Sequence, residues 1–221
     1  VVIGLGIGEN FVASDVFALL PVTQRFIFLE EGDVAVVKKD SVSIFDSLGQ
    51  KVDRKEKISE LSAEATSKGG FRHFMLKEIF EQPKAIAETI FEQQNFLDIQ
   101  NKKVLKKFTS YESVDAITIV ACGTSFHAGL VAKYWMESQI GIPCNVEVAS
   151  EFRYRNPAVL KNSMFIVISQ SGETADSLAA LRTAMTLGYL TTVAICNVPE
   201  STLTREAEET ILTKAGPEIG V

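Results

Sequence analysis

Three short and almost wholly apolar runs constrain this chain more than anything else in it: ITIVA at 117–121, MFIVI at 164–168 and TVAIC at 192–196. A strand with one wet face alternates polar and apolar residues. A continuous β-branched run reads instead as a strand covered on both faces, the habit of parallel sheets. NVEV at 145–148 is a fourth strand candidate. Between the runs, Leu178, Leu181 and Met185 recur at helical spacing, as do Ala128, Val131 and Trp135. Strand and helix thus alternate from Asp115 onward, which predicts an α/β architecture with a parallel sheet flanked by helices.

In such sheets ligands bind beyond the carboxyl ends of the strands. Two loops there share one design: VACGTS at 120–125 and ISQSGET at 168–174. Each leaves an apolar strand, offers small hydroxyl side chains and a glycine, and enters a helix. A helix start has free amides and a partial positive charge, so it favours an anion. One Ser/Thr-rich loop of this kind is most simply a helix cap. Two in one sheet make a phosphate cradle an equal reading, and the residues alone leave both open. The loops are not nucleotide motifs: GxxxxGK[ST] is absent. The only glycine cluster, Gly4, Gly6 and Gly8, has Glu9 where a dinucleotide fingerprint needs glycine.

The first fifty residues have a different texture. RFIFL at 25–29, DVAVV at 33–37 and SVSIF at 41–45 are strand candidates, and EEGD at 30–33 and SLGQ at 47–50 are turn signals, which predicts antiparallel hairpins. Residues 14–20 predict a short helix capped by Ser14 and ended by Pro21. A charged stretch at 54–70 ending in Ser-Lys-Gly-Gly reads as a linker, and a helix follows from Phe74 to about Phe96, interrupted at Pro83. Residues 1–53 are expected to belong to a larger sandwich and to leave an apolar patch exposed.

With a net charge of −6 and a pI near 5.1, the chain carries no basic footprint for nucleic acid. No apolar run approaches a membrane span. Cys122, Cys144 and Cys196 form no CxxC pair, which fits a reducing, cytoplasmic setting. The two histidines, His73 and His127, lie far apart and lend no support to a metal site. The chain opens on Val-Val-Ile and ends at Val221 with no closing element, so an internal piece of a longer protein is expected.

The motifs ACGTS, SQSGET and AGPEIGV, in that order and spacing, resemble the first sugar-isomerase (SIS) domain of the isomerising glutamine–fructose-6-phosphate aminotransferase family. HFMLKEIFEQP, YWMESQIGIPC, EVASEFRYR and LGYLTTVAICNVP extend the resemblance. VIGLGIGENFVASD and ALLPVTQRFIFLEEGD resemble the end of that family's glutaminase domain, which has an N-terminal-nucleophile fold. The division implied is 1–55 for the end of the glutaminase domain, 56–107 for linker and connecting helices, and 108–221 for a truncated SIS domain.

The resemblance implies an enzyme that frees ammonia from glutamine and uses it to turn fructose 6-phosphate into glucosamine 6-phosphate. It implies no metal or organic cofactor, and a homodimer. Carried over by position, Ser125, Ser169, Gln170, Ser171 and Thr174 would hold the phosphate, Thr124 would touch the sugar, and the Val221 backbone would line the sugar pocket. No catalytic residue is expected in this chain. The nucleophilic Cys would lie upstream of Val1; a second SIS domain beyond Val221 would supply a Glu base, a ring-opening His and a Lys.

Cys122 is expected to pack, His127 to sit on the surface or against its helix, and Glu173 and Asp176 to point away from the phosphate. His73, Lys77 and Glu78 are expected at a domain junction. Tyr134 and Trp135 are expected in the core or at an interface, with their helical spacing favouring the core. The competing readings are a non-catalytic SIS sugar-phosphate sensor, which would need a helix-turn-helix, and an SIS enzyme acting on phosphorylated fructosamines without a glutaminase.

Overall fold

The computed structural model describes residues 1–14, 16–59, 67–99 and 114–220. They fall into two compact units, Val1–Phe80 together with the segment from Pro217 onward, and Glu81–Gly216.

The first unit holds two small antiparallel sheets. Strands β1 (Val2–Leu5), β2 (Asn10–Ala13), β3 (Arg25–Phe28) and β7 (Glu56–Ile58) form one, in the order β2-β1-β3-β7. Strands β4 (Val34–Lys38), β5 (Ser41–Phe45) and β6 (Lys51–Val52) form the other. Ile3 and Phe26 are fully buried, and Val2, Val16, Leu19 and Leu20 pack with Phe26. Gly4 allows this: a Cβ there would lie 2.8 Å from the Thr23 methyl and 3.0 Å from a Leu19 methyl. The Thr23 hydroxyl donates to the Leu5 carbonyl at 2.6 Å.

The helix expected at 14–20 is a helical turn, with the Leu20 amide on Val16 and the Thr23 amide on Leu19. Pro21 has no N–H for the Phe17 carbonyl, the turn closes two residues later at Thr23, and so short a segment does not propagate. β7 lies within the stretch read as linker. It is held on β3 by a two-point Arg25–Glu56 ion pair at 2.6 and 2.9 Å. Bare apolar positions are present: Val12, Val34, Val36 and Ile58 are exposed, although β1 and most of β3 are covered.

Helix α1 (Phe74–Ile99) runs through Pro83 without the expected break. A proline in a helix interior removes one hydrogen bond, here the one to the Ile79 carbonyl.

The second unit is built on a five-stranded, all-parallel sheet in the order β12-β11-β10-β8-β9. Its elements are β8 (Ala116–Ala121), α2 (Gly123–Trp135) continued by a π-helical turn (Met136–Ile140), β9 (Cys144–Val148), α3 (Ala149–Phe152), β10 (Ser163–Ser169), α4 (Ala175–Thr186), β11 (Thr191–Cys196), α5 (Thr202–Glu206) and β12 (Glu209–Leu212).

Alternate residues of the strands feed two separate cores, as the apolar runs require. Val120, Phe165, Val167, Ala194 and Cys196 pack with Phe152, Leu181 and Leu203 on one face. Ile117, Ile119, Ile166 and Val193 pack with Ala132 and Met136 on the other. α2 therefore covers one face while α3, α4 and α5 cover the opposite one. The chain goes from β8 outward to β9, then returns past β8 to β10. The order reverses between β8 and β10, and that is where an open parallel sheet leaves a crevice.

The helix stripes differ from those expected. Tyr134 and Trp135 are not core: they are 71% and 60% exposed. Gly129 is buried, and a Cβ there would approach Ile119 and Val146 methyls at 3.1 Å. α2 turns its smallest residue to the sheet, so the aromatics face outward. On α4 the buried residues are Ser177, Ala180, Leu181 and Ala184, and Met185 is exposed. β12 was not expected at all. As an edge strand with one neighbour it lacks an apolar run, and it starts beside Glu208, whose carboxylate accepts from the Thr191 hydroxyl at 2.9 Å.

Candidate functional site

The site is built where β10 and β8 end. In the sheet register Ile168 lies opposite Ala121, so the residues that follow, Ser169 and Cys122, leave neighbouring strands side by side, roughly 4.8 Å apart.

The loop after β10 is closely framed. Ser169, the last residue of β10, is buried, and its hydroxyl accepts from the Gly172 amide at 3.0 Å. Gly172 has φ +65°. A Cβ there would fall 2.1 Å from the Ser201 hydroxyl and 2.8 Å from the Cys196 sulfur, so only glycine fits. The Gln170 carbonyl accepts from the Asn197 amide at 3.2 Å, and the Gly172 carbonyl from the Leu203 amide at 3.0 Å. Both carbonyls face the protein, which leaves hydroxyls and amides for a ligand.

Thr174 is the N-cap of α4 by backbone position, yet its side chain makes no capping bond. Among the described residues its hydroxyl has one contact, a long one of 3.4 Å with that of Ser169. Capping, the simple explanation for a hydroxyl in this place, is not what this threonine does. The first helical bond of α4 is Leu178 N–H to the Thr174 carbonyl. Earlier amides at a helix start have no acceptor in the helix. The half-buried Ser171 accepts weakly from the Glu173 amide at 3.2 Å.

The acidic neighbours are turned away. The Glu173 carboxylate accepts from the Thr202 amide at 2.6 Å, at the start of α5. Asp176 pairs with Arg153 at 2.8 Å, and that hydrogen bond pushes the Arg153 guanidinium pKa up. Both carboxylates are engaged by partners outside the loop, as expected.

The turn after β8 is shorter. Cys122 is the extended N-cap residue, Gly123 follows at φ +57°, and α2 begins at once. Thr124 is exposed and Ser125 half-buried, both in the first helical turn. Cys122 packs partly buried against the core, consistent with a packing role. His127 is exposed, edge-on to Phe126 at 5.7 Å. Thr124, Ser125, Ser169, Gln170, Ser171 and Thr174 therefore come from two adjacent turns at one end of the sheet. Val221 lies outside the described residues.

Two residues make contacts that their sequence context does not announce, although Glu78 lies in the segment expected at a domain junction. Asn197, just past β11, holds the chain beyond β12; it sits within LGYLTTVAICNVP as an isolated polar residue after an apolar run. Glu78, in the first unit, accepts from the Ile219 and Gly220 amides at 2.7 and 2.9 Å. Gly220 packs so closely on α1 that a Cβ would meet the Met75 backbone at 2.9 Å. Glu218 nearby has its carboxyl pKa raised by burial, and further by the charge of Glu78.

Comparison with known proteins agrees with this geometry. The SIS domain family model matches residues 110–221. The whole chain is 55% identical to the isomerising glutamine–fructose-6-phosphate aminotransferase of Pseudomonas aeruginosa, and 54% identical to that of Escherichia coli K12. In each case it spans 36% of the relative's length. Among solved structures, the C-terminal domain of glucosamine-fructose-6-phosphate aminotransferase from Francisella tularensis matches 71% of this chain and 43% of its own, at 45% identity and a TM-score of 0.61. Tagatose-6-phosphate ketose/aldose isomerase from Escherichia coli shares the fold at 20% identity, with a TM-score of 0.53 over 67% of this chain and 42% of its own. With its parallel sheet, its two hydroxyl-bearing turns and a family match over half its length, this chain belongs to the SIS domain family.

Proposed function

We propose that the crevice between β8 and β10 binds the phosphate of fructose 6-phosphate, and that the complete protein is an isomerising glutamine–fructose-6-phosphate aminotransferase. The observation that carries the reading is the hydroxyl of Thr174. It stands at the N-cap of α4 without capping it, next to the Ser169 hydroxyl, where an anion is favoured by the helix start.

In this reading Ser125, Ser169, Gln170, Ser171 and Thr174 hold the phosphate through hydroxyl, amide and side-chain donors. Thr124 touches the sugar and the Val221 backbone lines its pocket. Hydrogen bonds to a charged group are the stronger ones, so a few hydroxyls suffice for a dianion without Lys or Arg. This chain's own residues bind and orient; none is assigned a bond-making role. The 55% identity to a full-length aminotransferase supports the reading.

The domain division 1–55, 56–107 and 108–221, a homodimer, glutamine as nitrogen donor and the absence of a cofactor belong to the same proposal. So does a cytoplasmic setting, supported by three free cysteines. Among the described residues no helix is long and apolar enough to cross a membrane. The antiparallel sheets of the first unit disfavour the sensor alternative, which needs a helix-turn-helix there.

The test is glutamine-dependent formation of glucosamine 6-phosphate by the complete protein. The 221-residue chain alone should neither hydrolyse glutamine nor make product, and should bind fructose 6-phosphate weakly. A complete protein that forms no product, or an isolated chain that does, contradicts the proposal.

A further inference from the structure

Asn197 turns both its side-chain oxygen and its side-chain nitrogen to one segment. Its side-chain oxygen accepts from the Thr213 hydroxyl at 3.1 Å and from the Ala215 amide at 3.0 Å. Its side-chain nitrogen donates to the Gly216 carbonyl at 2.6 Å. Its backbone N–H, meanwhile, donates to the Gln170 carbonyl inside the β10 loop. One residue therefore joins the phosphate loop to the segment 213–216, entirely within the second unit. That segment leaves β12 at the carboxyl end of the sheet, the same end as the two hydroxyl turns. It has one further tie, from the Lys214 amide to the Thr89 hydroxyl at 3.1 Å.

We propose that Asn197 is a positioning residue that sets segment 213–216 against the phosphate loop, and so fixes the wall that meets the sugar rather than the phosphate. The inference rests on the phosphate reading above. A ligand anchored by its phosphate at Ser169–Thr174 must extend along the carboxyl edge of the sheet, and on the β11 side segment 213–216 forms that edge. The chemistry needs Asn. Asp could accept twice but not donate, and it would set a charged oxygen against the Gly216 carbonyl. Leu has the shape and none of the bonds. Because the tie to Gln170 uses the backbone amide, a side-chain substitution leaves the phosphate loop's own frame in place.

The test compares two ligands in the complete protein by calorimetry: inorganic phosphate, which needs only the loop, and fructose 6-phosphate, which needs the wall as well. Asn197→Leu should raise the Kd for fructose 6-phosphate roughly tenfold and leave the phosphate Kd within about twofold, since the loss is of hydrogen bonds worth about that much. Asn197→Asp should give a smaller split, and Thr213→Val, which removes one donor without touching the loop, about threefold. If Asn197→Leu does not fold, the other two variants carry the test. Equal losses for both ligands, or no loss for either, in the variants that fold would overturn the inference. Ser169→Ala is run beside them: it should weaken both ligands, and if it weakens neither, the phosphate reading itself fails.

Discussion

The two turns at the switch point carry the same kinds of residue but are built differently. The loop after β10 is fastened at nearly every residue: Ser169 to the Gly172 amide, Gln170 and Gly172 through their carbonyls, Glu173 to the start of α5. The turn after β8 has almost no frame. Gly123 has open space where a Cβ would be, and α2 starts directly behind it. Rigidity on one side and simplicity on the other suggest a division of labour. Under the proposed function the β10 loop would serve as a preformed anion site, and the β8 turn would add donors from a helix that needs no loop to place them.

Substitutions that treat the turns alike should expose this difference. Gly172→Ala should be the most damaging, by about 3 kcal/mol or more, because a left-handed backbone and a blocked Cβ position coincide. Gly123→Ala meets only the backbone strain, about 1 kcal/mol. Denaturant unfolding of both variants measures the gap; equal losses would erase the distinction.

Next in size is ligand affinity. Ser169→Ala removes a ligand donor and the acceptor of the Gly172 amide, so phosphate binding should weaken by about 3 kcal/mol, the upper end for a charged hydrogen bond. Ser125→Ala removes a donor alone and should cost about 1.5 kcal/mol. Glu173→Ala, which takes the acceptor from the Thr202 amide at the start of α5 while Ser201 still caps the helix, should lower stability by about 1 kcal/mol, while Glu173→Gln, which keeps an acceptor for the Thr202 amide, should be close to neutral.

The smallest effect is one of pH. Hydrogen bonding to Arg182 holds the Glu206 carboxyl, on α5, below its ordinary value. A depressed carboxyl stabilises the fold above its unfolded pKa, about 4.3, and the benefit is lost as pH falls through the lower folded value. Both side chains are partly exposed, so the whole contribution is under about 1 kcal/mol. Arg182→Met should flatten this acid limb below about pH 4.5 in denaturation curves, and an unchanged limb would assign it elsewhere.

How legible this was depended on scale. The apolar runs at 117–121, 164–168 and 192–196 marked strands buried on both faces, and all three are such strands. The hydroxyl turns followed from where those runs stop. Strand order was not legible, because a run of Ile and Val does not say which neighbour it pairs with, and the switch point depends on that order. Helix rotation was also hidden. Spacing put Trp135 in the core, but the close approach at Gly129 turns α2 the other way. β12 and β7 are short, polar edge strands, held by Glu208 and by the Arg25–Glu56 pair, and no periodicity announces them. Asn197 acts through three bonds to a segment that only the folded sheet brings near it.

The central claim is that the two adjacent turns hold a sugar phosphate. A crystal structure of the complete protein with fructose 6-phosphate tests it most directly. The account predicts phosphate oxygens within hydrogen-bonding distance of the Ser125, Ser169 and Thr174 hydroxyls, at the starts of α2 and α4. Fructose 6-phosphate bound with its phosphate anywhere else, and these hydroxyls untouched, would contradict it.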